Sequence, residues 1–206
     1  MSKIEVDTIE PQSGTTVTLG ASGDTITIPS GVTLDGSSAT LTGIGTATTN
    51  GITEADQWRL NSNFETSAGS GYFTANWERV DTDGFGKIGT GLTESSGEFS
   101  FPSTGVYLIV FDMMAYGNGG ARSYVGVSIN TTLDNSTYSH AAMSYGSCYT
   151  SGAYANMSGR FQFNVTNVST HKFKMGFETE GNSTVFENNT TRNSSNVTVI
   201  RLGDSV

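Results

Sequence analysis

The chain holds two histidines, His140 and His171, and one cysteine, Cys148. Neither histidine lies beside a Gly-x-Ser-x-Gly turn, a cysteine partner or a second histidine at metal-ligand spacing, so neither a nucleophile nor a zinc set can be assembled. Carboxylates are abundant, and Asp81 with Asp83, or Glu178 with Glu180, have the separation along the chain from which a glycosidase pair can be built. Nineteen acidic residues supply such pairs by chance, and no enzyme activity is expected from them. Asp81-Thr82-Asp83-Gly84 spaces oxygen ligands as calcium prefers but lacks the later bidentate glutamate of a full loop. A turn is the favoured reading, with calcium at Asp81 and Asp83 as the minor alternative and no other cofactor implied. Tyr138, His140, Tyr145, Tyr149 and Tyr154 stand among Ser, Gly and Asn, the composition of adaptable recognition surfaces whose phenol rings stack on sugar faces. The competing reading gives the same rings to a subunit interface or a sheet core. Asn-x-Ser/Thr triplets recur from Asn130 to Thr198 and express a surface rich in Asn and Thr.

The elements that must position these residues are strands. Phe99 and Phe101, then Tyr107, Ile109 and Phe111, recur every second residue, and Pro102-Ser103-Thr104-Gly105 punctuates the corner between them, which reads as a hairpin whose apolar faces need a second sheet. Further strands are expected at 72–73, 77–80, 86–89, 124–130, 138–144, 153–164, 171–178 and 196–202, with no helical pattern between them. A sandwich or jelly roll follows. Only 14% of the residues are charged and only three are proline, a balance suited to short strands and many turns. A formal charge of −9 opposes binding to phosphate backbones, so nucleic acid is excluded as a partner. A lone cysteine rules out an intrachain disulfide, and Cys148 is expected as a small buried hydrophobe.

The front of the chain is different. Val17-Thr18-Leu19, Thr25-Ile26-Thr27-Ile28, Val32-Thr33-Leu34 and Ala39-Thr40-Leu41 are short β-branched runs parted by Gly, Ser or Asp. One copy has a thin apolar edge that it cannot bury alone, whereas three copies wound together can. Residues 17–50 therefore read as a β stalk formed by an intertwined trimer, or else as a Gly/Ser/Thr linker. Before them, residues 1–16 form a docking segment in which Ile4, Val6 and Ile9 are the apolar contacts, since an exposed terminal strand can add to another subunit's sheet edge. Residues 51–71 are expected to hold one short helix and a connector: Thr53 caps it, Asp56 answers three residues on, and Trp58 anchors it. Residues 72–206 form the head. The acidic residues in Met1 to Asp7 stand where a secretory leader needs an apolar run, and no segment has the length of a membrane span; no membrane insertion is expected.

Gly97-x-Phe99-x-Phe101-Pro102-x-x-Gly105-x-Tyr107 resembles the core motif of C1q and tumour-necrosis-factor-like heads. The resemblance covers roughly Trp77 to Leu202, with Asp83-Gly84-Phe85-Gly86 and Val197 to Leu202 fitting the same plan in order. It implies a compact jelly-roll trimer in which Gly97, Phe99, Phe101, Pro102, Gly105 and Tyr107 determine the fold and carry no catalysis. Lys3-Ile4-Glu5-Val6-Asp7-Thr8-Ile9 together with Ile28-Pro29-Ser30-Gly31-Val32-Thr33-Leu34 is similar to the opening of structural and tail-fibre-like proteins of marine bacteriophages. That second resemblance implies a virion protein, made in the host cytoplasm and released by lysis. Its expected partners are two further copies of itself, tail or capsid proteins met through the N-terminus, and a host surface glycan or protein met by the head. A tail fibre comes first, a capsid decoration protein or head fibre second, and a polysaccharide depolymerase third.

Overall fold

The structure is a computed structural model that describes residues 8–27, 29–32, 51–66, 69–181 and 183–206. The chain divides into two compact units, Met1–Ala47 and Thr48–Val206. In the first, local turns are the organised features: the Asp24 amide donates to the Ala21 carbonyl, the Asp24 carboxylate accepts from the Ala21 amide at 2.7 Å, and the Val32 amide donates to Pro29. The strands expected at Val17-Thr18-Leu19 and Thr25-Ile26-Thr27 do not form ladders within the single chain. Runs of three residues present too little backbone to hold a partner, and Val17, Leu19, Ile26 and Val32 stand exposed. Ile9 is exposed as well. Ile4 and Val6, the other expected docking contacts, lie outside the described residues, as do 33–50 of the expected stalk.

The second unit is all strand: β1 Ala55–Leu60, β2 Phe64–Glu65, β3 Ser70–Tyr72, β4 Trp77–Arg79, β5 Thr93–Ser95, β6 Glu98–Ser100, β7 Gly105–Gly117, β8 Arg122–Thr132, β9 Ser139–Cys148, β10 Tyr154–Val165, β11 Lys172–Thr179, β12 Thr184–Phe186 and β13 Asn196–Gly203. They form two antiparallel sheets. In the seven-stranded sheet the order is β2-β12-β7-β13-β1-β4; β10 covers the other edge of β7, from Tyr154 opposite Tyr116 to Val165 opposite Gly105. In the six-stranded sheet β11 is central, with β8 and then β9 along one edge, and β6 and β3 in tandem along the other.

The core between the sheets is aromatic. Phe99 stacks on Phe173 with centroids 4.8 Å apart, Phe73 meets Phe186 edge-on at 4.7 Å, and Phe101 touches Tyr107 at 4.6 Å. Phe99 and Phe173 are ladder partners within one sheet, and together with Leu60, Ile109, Ile129 and Met175 the rings fill the space between the two sheets. Cys148 is fully buried at the end of β9, its thiol within 3.8 Å of the Ala115 carbonyl.

Three expectations for this unit are corrected. The residues given to a helix, Thr53 to Leu60, instead supply β1, which pairs with β13 on one side and β4 on the other. Asp56 does not cap anything: its carboxylate accepts from Arg79, from the Leu92 amide and from the Trp58 indole. Ladder bonds from two neighbouring strands outweigh a weak capping signal in a six-residue segment. Trp58 does serve as an anchor, its ring edge-on to Phe99 at 5.8 Å and under the Arg79 guanidinium.

The second correction concerns the Pro102 to Gly105 corner. It joins strands of different sheets, since β6 pairs with β5 and β11 while β7 pairs with β10, β12 and β13. It is an arch across the sandwich, not a hairpin. The Tyr107 hydroxyl ties it by donating to the Ser103 carbonyl at 3.0 Å. Gly105 is needed because a Cβ there would lie 2.4 Å from the Arg201 guanidinium and 2.7 Å from the Gly203 carbonyl oxygen. Residues 86–89 contribute one isolated bridge, Ile88 to Ala55, rather than a strand.

Candidate functional site

The outward face of the six-stranded sheet carries a cavity of about 330 Å³. Its floor is built from alternate residues of the two central strands: Ser128 and Asn130 on β8, and Gly176 on β11, opposite Ser128 in the ladder. A Cβ on residue 176 would lie 2.6 Å from the Asn130 amide nitrogen and 2.7 Å from the Ser128 hydroxyl, so glycine is what lets these two polar groups pack over the β11 backbone. The Asn130 amide donates to the Ser128 hydroxyl at 2.8 Å. Its carbonyl oxygen Oδ1 is buried with no hydrogen-bond partner, although the residue is only 1% exposed. A buried acceptor left without a donor is unusual in a folded protein.

The walls come from the flanking strands. Tyr72 of β3 stands on one side, and His140 and Met143 of β9 on the other. Glu178 closes one end, its carboxylate accepting from the Tyr145 hydroxyl at 2.7 Å. That bond to a carboxylate, joined by burial and the carboxylate's charge, raises the Tyr145 phenol above its ordinary value. The Tyr145 ring lies over Gly126, where a Cβ would come within 2.6 Å of it.

Beyond the Tyr72 wall lies a second polar cluster. The Lys174 ammonium sits 4.4 Å from the centre of the Tyr138 ring and 5.8 Å from that of Tyr72. Glu98 accepts from Lys172 at 2.6 Å and from the Tyr138 hydroxyl at 2.7 Å, and pairs with Lys174 at 3.4 Å. Burial pushes the Glu98 carboxyl up, but the bonds from Lys172 and Tyr138 and the two lysine charges together outweigh it and hold it below the usual carboxylate range. Burial first, and then the bond to Glu98, raises the Tyr138 phenol.

The tyrosine-rich span is thus split by the fold. Tyr138, His140 and Tyr145 reach this outward face, Tyr149 stands exposed in the loop before β10, and Tyr154 lies on the other sheet, 5.5 Å from Tyr116. Tyr72, Ser128, Asn130, Met143 and Gly176 were not singled out by sequence. The signal was present in the alternation Lys172-x-Lys174-x-Gly176-x-Glu178: a glycine at the centre of a strand's solvent face marks a place where something must approach closely.

The acidic pairs have other employment. Asp81 bonds the fully buried Arg59, which also reaches Glu78 at 2.8 Å. Asp83 is exposed beside the turn closed by the Phe85 amide on Thr82. Glu180 accepts from the Ser123 amide and hydroxyl. Among the described residues no three His, Cys, Asp or Glu side chains converge as a metal site would require.

The opposite outward face, on the seven-stranded sheet, is apolar along its middle. Val106, Leu108, Val110, Met114 and Tyr116 of β7 and Ile200 of β13 are half-buried there. Asn156, Ser158, Arg160 and Gln162 of β10 flank them. Val106 to Phe111 is an unbroken apolar run, the mark of a strand covered on both faces, yet within one chain only the Tyr107, Ile109 and Phe111 side is covered. Asp112 and Arg160 lie on the open side, and neither has an ion-pair partner among the described residues.

Two antiparallel sheets with this order define a jelly roll of the tumour-necrosis-factor type, as the Gly97 to Tyr107 motif implies. Solved structures agree on the fold. The chain is similar to murine APRIL at pH 5.0, with a TM-score of 0.53 and 11% identity over 72% of this chain and 98% of that one. It is similar to Eiger TNF from S. frugiperda, with a TM-score of 0.53 and 13% identity over 76% of this chain and 96% of that one. No protein-family model matches the chain, and no curated protein matches it.

Proposed function

We propose that the protein is a homotrimeric attachment protein of a bacteriophage particle. Its N-terminal unit anchors it to the tail or capsid, and its jelly roll is the head that meets the host. The observation that carries this reading is the division of labour between the two outward sheet faces. One is apolar along its centre and polar at its margin, the pattern of a surface covered by further copies of the same chain. The other is polar, holds the cavity and remains free when the first is covered. The repeated Val, Leu and Ile residues exposed in the N-terminal unit add support, because three copies side by side can bury what one leaves in water. Trimerisation also multiplies weak contacts into useful avidity.

Native mass spectrometry of the full chain tests the assembly, with a trimer expected and a monomer contradicting it. Location on purified particles by cryo-electron microscopy tests the role. Density at the tail tip supports a fibre, density on the capsid lattice favours the decoration protein instead, and absence from particles overturns both.

A further inference from the structure

The cavity on the six-stranded sheet has a lining more selective than general adhesion needs. We propose that it binds one neutral sugar residue of a glycan, a step that rests on the attachment reading above. The ring's apolar face lies on Tyr72, and its hydroxyls meet Glu178, His140 and the Ser128–Asn130 floor. The volume of about 330 Å³ falls at the small end of ligand pockets and accommodates a single pyranose with part of its neighbour. A carboxylate, an imidazole, a serine hydroxyl and a carboxamide around one aromatic ring offer donors and acceptors in the alternation that vicinal hydroxyls require, while the ring takes the C–H face.

Charge narrows the class. Among the described residues no lysine or arginine lines the cavity, and Glu178 repels an anion. Lys174, on the same face of β11, is committed to Glu98 and to the Tyr138 ring. Acidic sugars and phosphates are therefore disfavoured.

Two details of the floor point to an occupant. Asn130, whose buried Oδ1 lacks a donor, belongs to the cavity lining, and a sugar hydroxyl is a donor of the kind this carboxamide is short of. Gly176 lets the Ser128 hydroxyl and the Asn130 carboxamide close over the β11 backbone, where a Cβ would strike both, and so keeps these polar groups in the floor. The cavity lies on the sheet opposite the apolar face of β7, so self-association leaves it accessible.

Saturation-transfer NMR on the full chain provides the test, with glucose, galactose, mannose and N-acetylglucosamine as probes and N-acetylneuraminic acid as the anionic control. At least one neutral sugar is expected to bind, with the strongest transfer to the ring C–H protons and none to the acidic control. Tyr72→Ala should weaken it roughly three- to tenfold, as loss of an aromatic face does, and Glu178→Gln by about tenfold, as loss of a charge-assisted hydrogen bond does. Both side chains reach solvent, and an unchanged melting temperature confirms that each variant is folded. Silence from all four neutral sugars, equal binding of the acidic one, or full binding in both variants overturns the proposal. A trimer found on particles that binds no sugar removes this site and leaves the attachment reading standing. Sugar binding by a chain absent from particles does the reverse.

Discussion

At Gly97 the backbone has φ +81° and the place of a Cβ is already taken, 2.1 Å from the Phe73 carbonyl oxygen. Gly97→Ala therefore combines a left-handed backbone with a steric collision against main chain that cannot swing away, and should cost about 2–3 kcal/mol, lowering Tm by roughly 5–10 °C. Gly84, at φ +89° with nothing within 4 Å of its Cβ position, isolates the backbone contribution; Gly84→Ala should cost about 1 kcal/mol, and equal losses at the two sites in thermal melts would refute the steric argument. Glu98 adds a pH dependence of definite sign. Its folded carboxyl titrates below the unfolded value of 4.5, so the stability it contributes is complete above that value and is lost as pH falls through the folded one. Between those two values, denaturant titrations of Glu98→Gln should show a shallower fall in stability with acid than the parent protein; parallel curves would contradict it.

At the scale of elements, β7 is the strand on which both the fold and the proposed assembly depend. Its inner residues carry the core, and its outer residues form the apolar stripe. Val110→Arg places a charge in the middle of that stripe without entering the core, and should convert the trimer to monomer in native mass spectrometry while the far-UV circular dichroism spectrum stays that of a β sandwich. A persistent trimer would move the interface elsewhere.

The long strands were legible in sequence because alternation over eight or more residues has no competing reading: β7, β8, β10, β11 and β13 fall where Val106, Tyr124, Ala153, His171 and Asn196 open their runs. Of the short ones, β3, β4 and β6 were read from Tyr72, Trp77 and Phe99, but others were not. β2, β5 and β12 have two or three residues each and exist because a neighbour's edge offers ladder bonds, which no local pattern records. β1 was misread for the same reason, its partners β13 and β4 lying far along the chain or beyond a turn. The arch from β6 to β7 shows a related limit, since Phe99, Phe101 and Tyr107 specify two strands and a corner equally well whether the corner bends within a sheet or between sheets. Of the cavity, His140 and Glu178 were visible as residue types, as were Tyr138 and Tyr145 beside it, but which of them share a face depended on the β8–β11 register that brings Gly176 beside Ser128.

At the scale of the whole molecule, the C-terminal unit has a complete aromatic core of its own, built from residues between Trp58 and Val199. Removal of residues 1–47 should therefore leave its melting temperature within about 2–3 °C of the full chain's at equal trimer concentration. A larger fall by calorimetry would mean that the N-terminal unit contributes to the head's stability.

The burial of Cys148 has a practical consequence. Burial raises its thiol's pKa, and the thiol is the only one in the chain and is closed to solvent, so an alkylating reagent reaches it only when the end of β9 parts from its neighbours. The labelling rate is then a clock for the opening of the head. It should slow when trimer is favoured over monomer by concentration, whereas a rate indifferent to assembly would show that this end of the sandwich opens independently of the subunit contacts. With no second thiol to confuse the signal, the native sequence carries its own single-site reporter of how tightly the head stays shut.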